Sequence, residues 1–339
     1  MAEQTSSAVF SSSLPKTPNR GRTLVVLGTG GTIAGEAPSP DDDLSYRSAA
    51  LPVAALLGAL ALPAGWAIES EQIAQLDSKD MDFATWRRLA LGLADHLARD
   101  EVGAAIVTHG SDTMEETAYW LARVLAPRKP VVLTAAMRPA TSAHADGPQN
   151  LRDAATVATA ADARGVVVVV AGRVHSAFDV RKVHPRREDA FASGDAGPLG
   201  RVAGDRLRME RAWPDVGGAG ALDPARLVED PLQWPWVEIV SSTAGADPRD
   251  VRALVDAGVD GLVVATTGNG TVHRALEPAL VEAAARGCAV MRATRCVAGA
   301  IVEPASLAAA LPSAGALTPQ QARVELIVRL LAERLGPSD

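Results

Sequence analysis

The chain has 339 residues, 47% hydrophobic and 22% charged, an ordinary globular balance at a length that favours two packed units over one. Asp and Glu outnumber Lys and Arg 40 to 33, for a formal charge of -7, and no basic run is interleaved with aromatics, so neither nucleic acid nor an anionic membrane is expected as a partner. Aromatics make up only 4%, which leaves the core to Ala, Val and Leu.

Residues 1–20 are rich in Ser and Pro and read as a flexible tail. Their apolar run, Ala8-Val9-Phe10, is far shorter than the roughly 7–15 residues of a secretory signal. No later run approaches the roughly 18 apolar residues of a membrane helix, so a cytoplasmic protein is expected. Short apolar runs at 24–27, 104–107, 130–133 and 166–170 are bounded by Gly or turn residues and predict buried strands of a parallel sheet. Segments 82–96 and 114–125 between them carry helical spacing. Strands alternating with helices imply an α/β fold, whose ligands sit beyond the carboxyl ends of the strands.

A polar stretch follows Gly197, runs through Gly200, Gly204 and Pro214 to the glycines at 217–220, and reads as a linker of low core content. A second α/β pattern begins near Trp236, with strands at 237–240, 261–265 and 289–292 and helices at 249–257, 275–286 and 319–335. The predicted architecture is therefore α/β: a larger N-terminal parallel-sheet domain over 21–212, a linker over 213–233, and a smaller Rossmann-like C-terminal domain over 234–339.

Cys288 and Cys296 cannot build a disulfide framework and read as two small buried residues. The six histidines are scattered, with no His-Glu-x-x-His pair, so neither a metal site nor any other cofactor is expected.

The first strand runs into Gly28-Thr29-Gly30-Gly31-Thr32-Ile33-Ala34-Gly35. A dinucleotide fingerprint needs Gly where Ile33 stands, and a phosphate loop needs Lys where Glu36 stands; both readings fail. The glycines instead let backbone N–H groups approach a ligand and expose Thr32. After the strand ending at Val107 comes Thr108-His109-Gly110-Ser111-Asp112-Thr113-Met114-Glu115-Glu116-Thr117. Here Ser111 or Asp112 suits a helix N-cap, with Glu115 or Glu116 in the first turn; the alternative is that both supply chemistry at the same strand end as Thr32.

These two segments closely resemble the signatures of the bacterial-type L-asparaginase family, Thr-Gly-Gly-Thr-Ile-Ala at 29–34 and His-Gly-Thr-Asp-Thr-Met-Glu-Glu-Thr-Ala at 109–118, with Ser111 in place of a Thr. Ala136-Met137-Arg138-Pro139, Ala145-Asp146-Gly147-Pro148, Gly197-Pro198-Leu199-Gly200 and Gly268-Asn269-Gly270 extend the resemblance over roughly 22–330.

The resemblance implies that Thr32 attacks the amide carbonyl of L-asparagine to form an acyl-enzyme. Tyr46 looks like the family's lid tyrosine and follows a Gly/Pro/Asp stretch suited to a closing loop. Ser111, Lys182 and Asp112 resemble a second nucleophile–base set, with Lys182 in Phe178-Asp179-Val180-Arg181-Lys182. To serve as a base Lys182 must be neutral, which burial favours. Ser111 then either activates the water of the second step or assists the first attack. Ser78 matches the serine that binds the α-carboxylate, although it also suits a cap for the helix at 82–96, and Asp112 matches the acid that binds the α-ammonium.

Two further positions depart from the pattern. Lys79 stands where well-known members have Gln, and a glutamate lent by a neighbouring subunit aligns with Ser306, near Glu303. The family assembles as a dimer of dimers, so a homotetramer with partner-completed sites is implied, yielding L-aspartate and ammonia. A glutaminase-leaning member, a subunit feeding ammonia to a transamidation partner, and an amino-acid sensor with a dead site are the alternatives.

Overall fold

The computed structural model describes residues 22–58, 60–215, 222–303 and 311–336. The predicted tail at 1–20, the 217–220 glycines and Ser306 lie outside the described residues. The N-terminal half runs β1 (Arg22–Gly30), α1 (Val53–Leu56), β2 (Trp66–Leu76), α2 (Phe83–Ala98), β3 (Val102–Thr108), α3 (Met114–Leu125), β4 (Val131–Thr134), α4 (Gly147–Ala158), β5 (Val166–Val170) and β6 (Arg173–Ser176). Four short strands follow: β7 (Arg181–Lys182), β8 (Phe191–Ala192), β9 (Gly200–Ala203) and β10 (Arg206–Met209).

Eight strands make one sheet in the order β10-β9-β6-β5-β4-β3-β1-β2, parallel from β2 to β5 and antiparallel beyond. Leu24, Val26, Ala104, Ile106, Val132, Val167 and Val169 face α4, while Val25, Leu27, Val107, Leu133 and Val168 face α2 and α3. Burial on both faces is why these strands read as unbroken apolar runs. Gly28 lies opposite Thr108, and Thr108 opposite Thr134, so β1, β3 and β4 end level. The loops leaving those three ends meet in one place.

The second sheet is parallel, in the order β11 (Val237–Ser241), β12 (Gly261–Thr266), β13 (Ala289–Thr294). On one face lie α5 (Arg249–Asp256) and α6 (Glu277–Ala285), with Val251, Leu262, Leu280 and Val290 in the core between. On the other lies α7 (Pro319–Leu335), opened by a capping box in which Thr318 and Gln321 exchange hydrogen bonds. Its opposite side meets α3: Glu325 accepts from Arg123 Nε at 2.7 Å and from Tyr119 Oη at 3.1 Å. The few aromatics concentrate at this junction, where Trp234 lies 4.7 Å from Phe83 and 5.2 Å from Trp120, and Trp120 stacks on Trp86 at 5.3 Å.

Two expectations change, and one strand was not foreseen. The stretch after Gly197 is not all linker, because its first part forms the β9–β10 hairpin that closes one end of the large sheet. The edge strand β2 carries no apolar run, since most of its side chains are exposed or half-buried. Cys288 is buried as expected, whereas Cys296 is exposed.

Candidate active site

Leaving β1, the backbone takes Gly30 and Gly31 through φ values of 103° and 80°, a region that favours glycine, before a single 3-10 turn at Thr32–Ala34. A Cβ on Gly31 would lie 2.3 Å from Gly110 Cα, so the two signature loops touch backbone to backbone. Thr32 Oγ1 emerges half-buried, 2.7 Å from Tyr46 Oη. The loop carrying Tyr46 is closed: Glu36 and Arg47 pair across its base, Ala37 N–H donates to Thr141 Oγ1 at 2.8 Å, and Ala143 N–H donates to Pro40 O at 2.9 Å.

At the end of β3 the capping reading fails. The N-cap of α3 is Thr113, and it makes no side-chain capping bond, which leaves Ser111 and Asp112 for other partners. Lys182 Nζ donates to Ser111 Oγ at 2.9 Å and to Asp112 Oδ1 at 2.5 Å. Ser78 is not a cap either: Asp82 caps α2 by accepting from Thr85 N–H. The buried Ser78 Oγ accepts from Asp112 N–H at 3.1 Å, and Ser78 O accepts from Thr113 Oγ1 at 2.8 Å.

All six candidates, Thr32, Tyr46, Ser78, Ser111, Asp112 and Lys182, line one polar cavity of about 390 Å³. Lys79 is outside that lining; it is exposed and paired with Asp80 and Asp77. The fold also brings in residues that the sequence did not single out. Arg138 lines the cavity and links the Tyr46 loop, through Asp43 at 3.4 Å, to Glu188 on the segment after Lys182. Arg138 lay within a matched motif, and that was its only signal. Asp146 receives the N–H groups of Met137 and Arg138, both at 2.9 Å, which fixes the turn that presents Arg138. Buried Glu115 accepts the backbone N–H of Lys182, a role hidden by its place in an apparently ordinary first helical turn. Among the described residues no group of three or more His, Cys, Asp or Glu side chains is placed to hold a metal ion.

Burial sets the electrostatics beneath the cavity. It raises the Glu115 carboxyl to about 7, offset in part by the hydrogen bond from Lys182 N–H. A carboxyl raised on folding contributes most below its unfolded value near 4.5 and loses that contribution as pH rises to about 7. Burial lowers His109 and His175 to about 4, so their contribution is full above pH 6.5 and is lost as pH falls toward 4. Glu115→Gln keeps an acceptor for Lys182, so it should stabilise the protein at pH 8 by up to about 3 kcal/mol and little at pH 4.5. Thermal melts of both proteins at the two pH values test this. The histidines cancel in each difference, and an equal gap at both pH values would refute it.

A family model described as asparaginase, N-terminal, matches residues 23–215, and one described as glutaminase/asparaginase C-terminal domain matches residues 236–336. L-asparaginase 2 of Escherichia coli (strain K12) is 37% identical over 316 residues, covering 91% of this chain and 88% of that protein. L-asparaginase 2 of Bacillus subtilis (strain 168) is 34% identical over 309 residues, 90% of this chain and 81% of that one. The crystal structure of a probable cytoplasmic L-asparaginase from Campylobacter jejuni superposes with a TM-score of 0.82 at 34% identity, over 93% of this chain and 98% of that one. No helix among the described residues is long and apolar enough to cross a membrane.

Proposed function

The chain belongs to the asparaginase family, and from that premise we propose that its cavity hydrolyses L-asparagine to L-aspartate and ammonia through an acyl-enzyme on Thr32. The observation that carries this reading is the 2.7 Å contact between Thr32 Oγ1 and Tyr46 Oη at the end of β1. A hydroxyl is a weak nucleophile and needs a proton acceptor within hydrogen-bond reach.

In the proposed cycle Thr32 Oγ1 bonds to the side-chain amide carbon while its proton passes toward Tyr46. Backbone N–H groups beside Thr32 and Ser111 meet the oxyanion. Collapse breaks the C–N bond, the leaving nitrogen takes a proton, and ammonia departs from a β-aspartyl ester on Thr32. Water then adds to the ester carbon, losing its proton to the Ser111–Lys182 pair, and L-aspartate leaves as Thr32 recovers its hydrogen. Asp112, exposed at the rim, takes the substrate's α-ammonium, and Ser78 its α-carboxylate. Assembly as a homotetramer, with each site completed by a partner's C-terminal half, is part of the same proposal; all the lining residues here fall between Thr32 and Arg186.

Ammonia release from L-Asn, L-Gln and D-Asn, measured side by side, tests the reading, with L-Asn expected to be fastest. Faster release from L-Gln would make the chain glutaminase-leaning, and release from none of the three would make it a binding protein. In the same assay Ser111→Thr should stay within about tenfold of wild type, because it adds one methyl. Ser111→Ala should lose about 10²-fold, because Lys182 then has no hydroxyl to serve. Unchanged turnover in Ser111→Ala would remove Ser111 from the chemistry.

A further inference from the structure

A second cavity, of about 260 Å³, lies among α2, α3 and α7 behind the active site, and its chemistry is different. Met81, Phe83 and Trp86 make an apolar wall, while Glu116 from the first turn of α3 and Arg323 from the second turn of α7 face the same space. Arg323 spends only Nε on the fold, donating to Val237 O at 2.8 Å, and its Cζ sits 6.0 Å from the centre of the Phe83 ring. Among the described residues, neither terminal nitrogen of Arg323 and neither carboxylate oxygen of Glu116 has a hydrogen-bond or ion-pair partner. The two opposite charges are near enough to interact, yet they do not pair directly.

Both charges are half-buried and unpaired, and they are set apart across an apolar cavity, an arrangement that suits a ligand bearing a charge of each sign. A molecule carrying an ammonium and a carboxylate on one carbon meets both. We propose that this cavity binds a free α-amino acid with an apolar side chain, its carboxylate on Arg323, its ammonium on Glu116 and its side chain against Phe83 and Trp86. The volume lies just below the usual range for drug-sized ligands, about 300–1,000 Å³, and suits one small metabolite.

The position gives such a ligand a route to the active site. Thr113 lines this cavity, and its hydroxyl donates to the carbonyl of Ser78, which lines the other. Met81 and Asp82 continue the chain from the same Ser78 turn into α2. Occupancy therefore acts on the residue assigned to the substrate's α-carboxylate, and the expected readout is a changed KM for L-asparagine at unchanged kcat.

Calorimetric titration of the full-length protein with L-leucine and L-phenylalanine, with the active site saturated by L-aspartate, tests the proposal. One saturable site per chain is expected, with Kd of about 1 mM or tighter. Isoamylamine and 4-methylpentanoate, which each lack one of leucine's charges, should bind at least about tenfold more weakly than leucine, as should leucine itself to Arg323→Met and Glu116→Gln. Two variants on different helices guard against one failing to fold. No saturable binding of either amino acid, equal binding of 4-methylpentanoate, or undiminished leucine binding in both variants would each overturn the site. None of these outcomes bears on Thr32, because ammonia release is measured separately.

Discussion

Thr32→Ala is expected to fold like wild type and to release ammonia on the order of 10⁴-fold more slowly. The side chain sits in a turn set by Gly30 and Gly31, outside every core cluster, and among the described residues its one side-chain hydrogen bond is to Tyr46. Losing that bond costs about 1 kcal/mol, so the melting temperature should barely move. L-asparagine should still bind, because its α-groups are assigned to Asp112 and Ser78. Wild type quenched in acid during turnover should carry an aspartyl adduct on the peptide containing Thr32. Retained turnover in the variant would overturn the assignment. An adduct found only on Ser111 would keep the family and exchange the roles of the two hydroxyls.

The second large effect is expected from Lys182→Met, with kcat lower by about 10²–10⁴-fold. Lys182 reaches both Ser111 and Asp112, and its backbone is held by buried Glu115, so the side chain is fixed at the cavity wall. Methionine keeps the apolar stem and removes the nitrogen. Asp112 is exposed enough to stay hydrated without its partner, and the fold should survive. The freed carboxylate remains available for the α-ammonium, so KM should not rise. Steady-state kinetics decide the matter: kcat within tenfold of wild type would make Lys182 an ion-pair partner and nothing more.

Much of this arrangement was legible because the chemistry sits on short contiguous motifs at strand ends. The runs around Leu24, Val107, Leu133 and Val168 marked the parallel core, since side chains buried on both faces leave no polar alternation. Helices α3 and α7 were readable to the residue from their spacing. What escaped the reading lies at edges and between elements. β2 lacks an apolar run because its outer side meets solvent, and β9–β10 alternates arginines with buried or half-buried residues in strands of only four. Glu115 gave no sign of holding Lys182, because that contact spans 67 residues of sequence. Ser78 and Ser111 each fitted a helix cap, and only the cap bond of Asp82 on α2 and the place of Thr113 at the N-cap of α3 distinguish the readings.

The contact between Gly31 and Gly110 also bears on redesign. A side chain at position 31 would strike Gly110, and one at position 110 would strike Ser78 Oγ at 2.5 Å, so the two sites behave as a single locus that tolerates no substituent on either side. Their mutational effects should be strongly epistatic: once one loop has been pushed away, a second change has little left to spoil. Directed evolution toward other amides therefore has its freedom at the mouth, where Leu44, Pro185 and Arg186 border the opening, while this seam stays invariant.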